Sequence, residues 1–309
     1  MTGRVLVAGD ANLDLVLRGD VVPRFGQAEQ LLEGADLVLG SSAGICAAGL
    51  ARLGVDTALV ARVGADVFGE QTIRLLTAAG VDTSAVRVVD EPTGVSVILS
   101  APEDRAILTL TGALAGVTAA EVLSVSAGTR HVHFASYFLT PELAGDLPAV
   151  LTELRSRGVT TSLDTNWDPA ERWEGVAACL PLVDLLLPNA AEAVALAAAV
   201  GAAADDTESA ALSLAARGPI VVVKDGAAGG LVVQGERVLR APGLALDVVD
   251  TTGAGDSFDA GFLAAWIEGH DLAVALRWAA VTGSLSTRGA GGTGGQATRA
   301  ELTEAIDAS

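Results

Sequence analysis

Lysine is nearly missing from these 309 residues: Lys224 is the only one, and arginine supplies the rest of the 19 basic side chains set against 38 acids. The formal net charge of −19 repels phosphodiester backbones and anionic headgroups, which argues against nucleic-acid and membrane-surface partners; solubility is its plain meaning. Cysteine is scarce as well. Cys46 and Cys179 stand far apart, supporting neither a disulfide framework nor a metal site and suiting a reducing, cytoplasmic setting. No long apolar run is present: Asp10 interrupts any signal-peptide core, and the alanine-rich residues 193–204 are too short and weakly apolar to span a bilayer. Aromatic residues make up 4% of a chain that is 50% hydrophobic, so Ala, Val and Leu must build the core, as where helices pack closely on a sheet.

What is there has a rhythm. Short apolar runs at residues 4–8, 131–135, 160–163, 183–187 and 220–223 read as strands buried on both faces. Helix-length segments such as 43–53, 141–157 and 192–200 lie between several of them, which predicts an α/β fold with a mostly parallel sheet covered by helices. No repeat and no linker divides residues 1–309, so a single domain is expected. Residues 93–100 and 105–111 alternate apolar with polar around the turn residues Ala101, Pro102, Glu103 and Asp104, predicting a hairpin. Further strands at 13–17 and 29–39 would complete a small antiparallel sheet, a lid made of segments at about 13–39 and 93–111. Val95, Val97 and Leu99 would leave one of its faces apolar, suited to covering substrate and to pairing with a second subunit in a homodimer.

Residues 250–262 read DTTGAGDSFDAGF. A glycine-rich turn entering a helix leaves backbone N–H groups pointing outward at the positive end of the helix dipole, and so binds anions. Gly253 and Gly255 let a phosphate approach the backbone, with Ala254 the next smallest choice. Asp256 then places a carboxylate beside the anion hole. Alone it is an acid stabilised at a helix N-terminus; beside these glycines it is what phosphoryl transfer to an alcohol needs, a base next to donors for developing charge.

This run resembles the C-terminal signature of the ribokinase-like, PfkB-family carbohydrate kinases over all 13 residues. The resemblance implies a three-layer αβα fold with a β lid, an anion hole formed by Gly253, Ala254, Gly255 and Asp256, and Asp256 as catalytic base. Asn12 and Asp14, after the first strand, fall where the family reaches the sugar hydroxyls. Gly40, Ser41 and Ser42 fall on its N-terminal glycine signature along the substrate, although Ser41 and Ile45 stand where ribokinases usually have a second glycine and an asparagine. Asn189 and Glu192 match an N-x-x-E element that organises Mg2+ and phosphates largely through water; read alone, that spacing is a helix cap with an acid in its first turn. Lys224, Gly226 and Gly229 match the strand and turn on which the nucleotide lies, with Lys224 either touching a phosphate or serving as a surface charge. Asp164 and Asn166 fit a D-x-N element, but Asp168 replaces a common arginine, which Arg172 supplies only if the loop folds back. Asp250 and the Thr252 carbonyl match one side of a monovalent-cation site, for K+, or Asp250 ties the turn by local hydrogen bonds.

The implied activity is ATP-dependent phosphorylation of a small sugar. Ser42 stands where related phosphosugar kinases have lysine, and residues 9–44 contain no lysine, so the acceptor is expected to carry no phosphate. Alternatives are an adenosine-type nucleoside kinase and a non-catalytic sugar- or nucleotide-sensing paralogue; the latter has no use for a base. A dinucleotide-binding oxidoreductase would need G-x-G-x-x-G where GDANLD stands.

Overall fold

A computed structural model describes residues 3–308 except 28, 102–104 and 203, so the expected turn at Pro102, Glu103 and Asp104 lies outside the described residues. In chain order the strands are β1 (Arg4–Ala8), β2 (Asn12–Arg18), β3 (Gly34–Leu39), β4 (Thr57–Gly64), β5 (Val86–Val89), β6 (Gly94–Ser100) and β7 (Arg105–Leu110). There follow β8 (Thr129–Phe134), β9 (Thr160–Leu163), β10 (Leu185–Leu186), β11 (Ile220–Lys224), β12 (Gly230–Gln234) and β13 (Arg237–Ala241). The central sheet has the order β13-β12-β11-β10-β9-β8-β1-β4-β5. Strands from β11 through β5 pair in parallel, and β12 and β13 add an antiparallel margin.

Alternation along β1 sets the layers. Val5 and Val7 face a core shared with the helices Ser42–Arg52, Ala254–Glu268 and Leu272–Ser286. Leu6 and Ala8 face the other core, against the helices Pro141–Ser156, Ala190–Ala199 and Thr207–Ala215. The expected three-layer αβα arrangement is therefore present. With parallel strands, the loops that leave their C-terminal ends converge on one edge, where such folds place ligands.

The smaller sheet runs β3-β2-β6-β7. Its outer pairs are antiparallel, and β2 joins β6 in parallel, so two antiparallel ribbons meet along one seam. Register separates its faces. Asp14, Ser96 and Thr109 align on one face, while Leu15, Val97 and Leu108 align on the other. The predicted strand at 29–39 is shorter at its start, since β3 begins at Gly34.

Candidate active site

The Asp256 side of the site begins with a conformation only glycine takes cheaply. Gly253 precedes the Ala254–Glu268 helix at φ 71°, and a Cβ there would lie 2.7 Å from the Gly292 backbone. The Ala254 amide is taken by the Thr251 carbonyl at 3.2 Å, unlike the four-residue hole expected from sequence. Gly255 and Asp256, in the first helical turn, have amides with no acceptor one turn back, so they face outward. Asp250 braces this loop: its carboxylate accepts from the Thr252 amide at 2.9 Å, the Thr252 hydroxyl at 2.8 Å and the Gly291 amide at 2.9 Å. Local bonding thus occupies the Asp250 carboxylate, and no group of three or more metal-ligating side chains occurs among the described residues.

Ser42 donates its hydroxyl to Asp256 Oδ1 and accepts from Asn166 Nδ2 at 3.1 Å. Asn166 is set in turn by the Ser136 amide, which donates to its Oδ1 at 2.8 Å. Burial pushes the Asp256 carboxyl up to about 7; the Ser42 hydroxyl opposes this and the Asp164 carboxylate adds to it. A base titrating there is poised for neutral pH.

Asp10 holds the start of the Ser42–Arg52 helix, accepting from the Ala43 and Ser42 amides at 3.0 and 3.3 Å. Ser41 turns to cap that helix, accepting from the Gly44 amide at 3.2 Å with its backbone at φ 68°. That left-handed conformation is the reason a glycine usually stands there. Ile45 packs where a Cβ on Gly292 would collide with it at 2.3 Å, so the position of the usual asparagine has become an apolar contact.

Asn12 and Asp14 lie on the face of the small sheet that carries Ser96 and Thr109. Asn12 Nδ2 donates to Asp14 Oδ1 at 3.2 Å and Ser96 Oγ at 3.3 Å. Gly40 makes room for this carboxylate, since a Cβ on it would lie 2.1 Å from Asp14 Oδ1. Burial, then the neighbouring Asp10, raise Asp14 to about 6. From β7, Arg105 reaches over the loop and donates to Thr252 Oγ1 at 3.1 Å. Its charge acts on both Asp14 and Asp250.

Asp168 bonds within its own loop. Its carboxylate accepts from the Ala170, Arg172 and Trp173 amides at 2.9, 2.8 and 2.7 Å, closing a turn. Arg172 pairs with exposed Glu174 at 3.6 Å and does not fold back.

Asn189 and Glu192 form a reciprocal cap: Glu192 N donates to Asn189 Oδ1 at 2.9 Å and Asn189 N to Glu192 Oε2 at 2.8 Å. Glu192 is nevertheless buried, and burial followed by the Asp164 charge raises it to about 7. Two like charges in the core are chemistry a cation relieves, and the Lys224 charge acts on Glu192 in that sense. Lys224 is not a surface charge. It is 11% exposed, with Nζ 2.7 Å from Asp164 Oδ2 and 3.1 Å from Asp259 Oδ2. Lys224 also lines a cavity of about 510 Å³, together with Gly226, Gly229, Leu244, Leu246, Phe258 and the start of the Ala254–Glu268 helix.

Two residues at this site were underweighted by sequence reasoning, Asn166 and Asp259. The D-x-N spacing marked the first; nothing local marks the second as more than a buried helix acid.

Residues 6–299 match the pfkB family carbohydrate kinase model. The chain is 34% identical over 290 residues to the ATP-dependent ribose-1-phosphate kinase of Halopiger xanaduensis, covering 92% of this chain and 91% of that one. Among solved structures, adenosine kinase from Sinorhizobium meliloti superposes with a TM-score of 0.85 at 25% identity, covering all of both chains (100% each). Arabidopsis thaliana ribokinase complexed with ribose and ATP gives 0.81 at 25% identity over 98% of each. The chain belongs to the PfkB family of carbohydrate kinases, enzymes that transfer phosphate to a hydroxyl.

Proposed function

We propose that this kinase phosphorylates a hydroxyl of a small sugar without a phosphate group, using ATP, with Asp256 as general base. The observation that carries this reading is the Asn166–Ser42–Asp256 chain, which aims a carboxylate with a proton affinity near neutrality across the mouth of a helix-end anion hole. Asn12, Asp14, Ser42 and Ser96 offer amide, carboxylate and hydroxyl groups suited to a polyol. Asp256 takes the proton of the acceptor hydroxyl, whose oxygen forms a bond to the γ-phosphorus as the bond to the β-phosphate oxygen breaks, releasing ADP. The Gly255 and Asp256 amides offer hydrogen bonds to the transferred group, and the apolar cavity beside Gly226 takes the nucleobase. Mg2+, when bound near Glu192 and Asn189, neutralises phosphate charge. K+ is proposed near Asp250 and the Thr252 carbonyl, as an accessory to the same loop.

A phosphorylated acceptor is the second reading, favoured by Arg105 at the rim and by the activity named for the Halopiger relative. A nucleoside acceptor draws support from Trp167, which is 46% exposed next to Asn166 and offers a ring face for stacking. The test is kcat/KM with ATP for ribose, fructose, 2-keto-3-deoxygluconate, ribose 1-phosphate and adenosine; preference for either of the last two overturns the proposed acceptor. Absence of turnover across the panel, with ATP still bound, would favour a sensor.

The outer lid face carries Leu15, Leu17, Val97, Leu99, Leu108 and Leu110, with Leu108 60% and Leu110 54% exposed. We propose that the same face of a second copy covers it, as a two-fold axis permits. Light scattering showing only monomer at micromolar concentration would remove the pairing.

A further inference from the structure

In a chain that otherwise uses arginine for every cation, the one lysine sits where the active-site elements are tied together. Lys224 Nζ touches Asp164 at the end of β9 and Asp259 on the Ala254–Glu268 helix, one turn beyond Asp256. Asp164 also accepts from the Asn166 amide at 3.1 Å, and Asn166 continues through Ser42 to Asp256. The lysine stem runs beneath the anion hole: a Cβ on Gly255 would lie 3.3 Å from Lys224 Cδ. Its backbone amide donates to the Pro188 carbonyl at 3.0 Å, and it bridges to Asn189. Both routes to the base, through the helix and through the Asn166–Ser42 chain, therefore meet at one ammonium group.

We infer that Lys224 is a positioning residue: clamped between Asp164 and Asp259, it fixes the helix and the hydrogen-bond chain that aim Asp256, and it does not bind a nucleotide phosphate. The inference rests on the kinase reading above. A compact ammonium with three donors suits two carboxylates at 2.7 and 3.1 Å. Burial opposes its charge, but Asp164, Asp259 and Glu192 outweigh burial and hold the proton on Lys224. Asp164 stays ionised: burial works against it, and the Lys224 charge prevails. Burial pushes the Asp259 carboxyl above the usual carboxylate range, and the Lys224 charge opposes it. Two of the three ammonium donors are thus already taken by Asp164 and Asp259. Cys46, His133, Glu192 and Asp256 are the other titratable groups that feel the charges of this cluster, and Asp10 acts on Asp256.

The experiment compares Lys224→Met and the fold-sparing Asp259→Asn with the wild-type protein, measuring kcat, KM and the affinity for a non-hydrolysable ATP analogue. A misaimed base predicts a kcat loss of about tenfold to a hundredfold for Lys224→Met, and a smaller loss for Asp259→Asn. Analogue affinity should stay within about threefold of wild type in both, the pattern of a lost transition-state contact rather than a lost binding contact. A tenfold or larger loss of analogue affinity in a folded Lys224→Met protein would assign Lys224 to the phosphates and overturn the inference, as would unchanged kcat. If the wild-type protein turns over no acceptor, the kinase reading fails separately, and the affinity comparison still decides whether Lys224 holds phosphate.

Discussion

The proposed acceptor side and the proposed nucleotide side of this site are built on different principles. Bonds from Asp256 through Ser42 and Asn166 to the Ser136 amide link four segments distant in sequence, and Asn12 holds Asp14 within β2. Around the 510 Å³ cavity, Leu244, Leu246 and Phe258 offer surface, and Gly226 and Gly229 offer space. Buried carboxylates couple strongly to one another and to protonation because the interior screens them poorly. Apolar walls act by area, with small, separable contributions. The acceptor side should therefore be brittle and pH-dependent, and the nucleotide side forgiving.

The largest effect that would sharpen this contrast is expected from Asp256→Asn. The amide oxygen still accepts from Ser42, so the fold and ATP affinity should persist while kcat drops by about a hundredfold or more; turnover near wild type, with circular dichroism unchanged, would remove Asp256 as base. Next comes Asp14→Asn, which keeps the shape against Gly40 and removes the charge. Its acceptor KM should rise by about tenfold or more, with ATP affinity unaltered, because a site built to hydrogen-bond a hydroxyl discriminates steeply when one partner changes.

Protonation gives the third test. Asp256 is raised to about 7, so its base form is present above that pH and is lost as pH falls through it. The kcat/KM profile should fall about tenfold per unit on the acid side of neutrality, and Asp14, raised to about 6, should steepen the fall further down. A flat profile from pH 8 to pH 5 would break the comparison at its acceptor end. The smallest effect belongs to the cavity: Leu246→Ala should raise the KM for ATP by only about threefold to tenfold at unchanged kcat. A loss as large as that of Asp256→Asn would show the nucleotide side to be equally brittle.

Strand segments buried on both faces were readable, because a continuous apolar run such as Val5, Leu6, Val7 and Ala8 has few other uses. The margins were not. Val86–Val89 includes exposed positions, and Gly230–Gln234 with Arg237–Ala241 forms a hairpin whose short strands merge in sequence with the preceding glycine turn. The site divided in the same way. Residues 250–262 carry glycines, acid and helix start consecutively, so local stereochemistry alone marks an anion hole beside a carboxylate. Ser42 was read as a substrate-side residue, and its bond to Asp256 was not legible, since it spans 214 positions.

By itself, the sequence determined the α/β alternation, the lid hairpin, the helix-end loop at Gly253 and the family to which these belong. Each of those depends on neighbours within a few residues, through apolar periodicity, turn geometry and glycine freedom. Only the tertiary structure decided that Ser41 caps a helix, that Asp168 closes a turn while Arg172 stays in solvent, and that the single lysine is buried between Asp164 and Asp259. A charged residue at a strand end has the same local signature in water as in an ion pair. Which one it adopts depends on carboxylates 60 and 35 positions away, brought within reach by the order of strands in the sheet and by the helix laid across them.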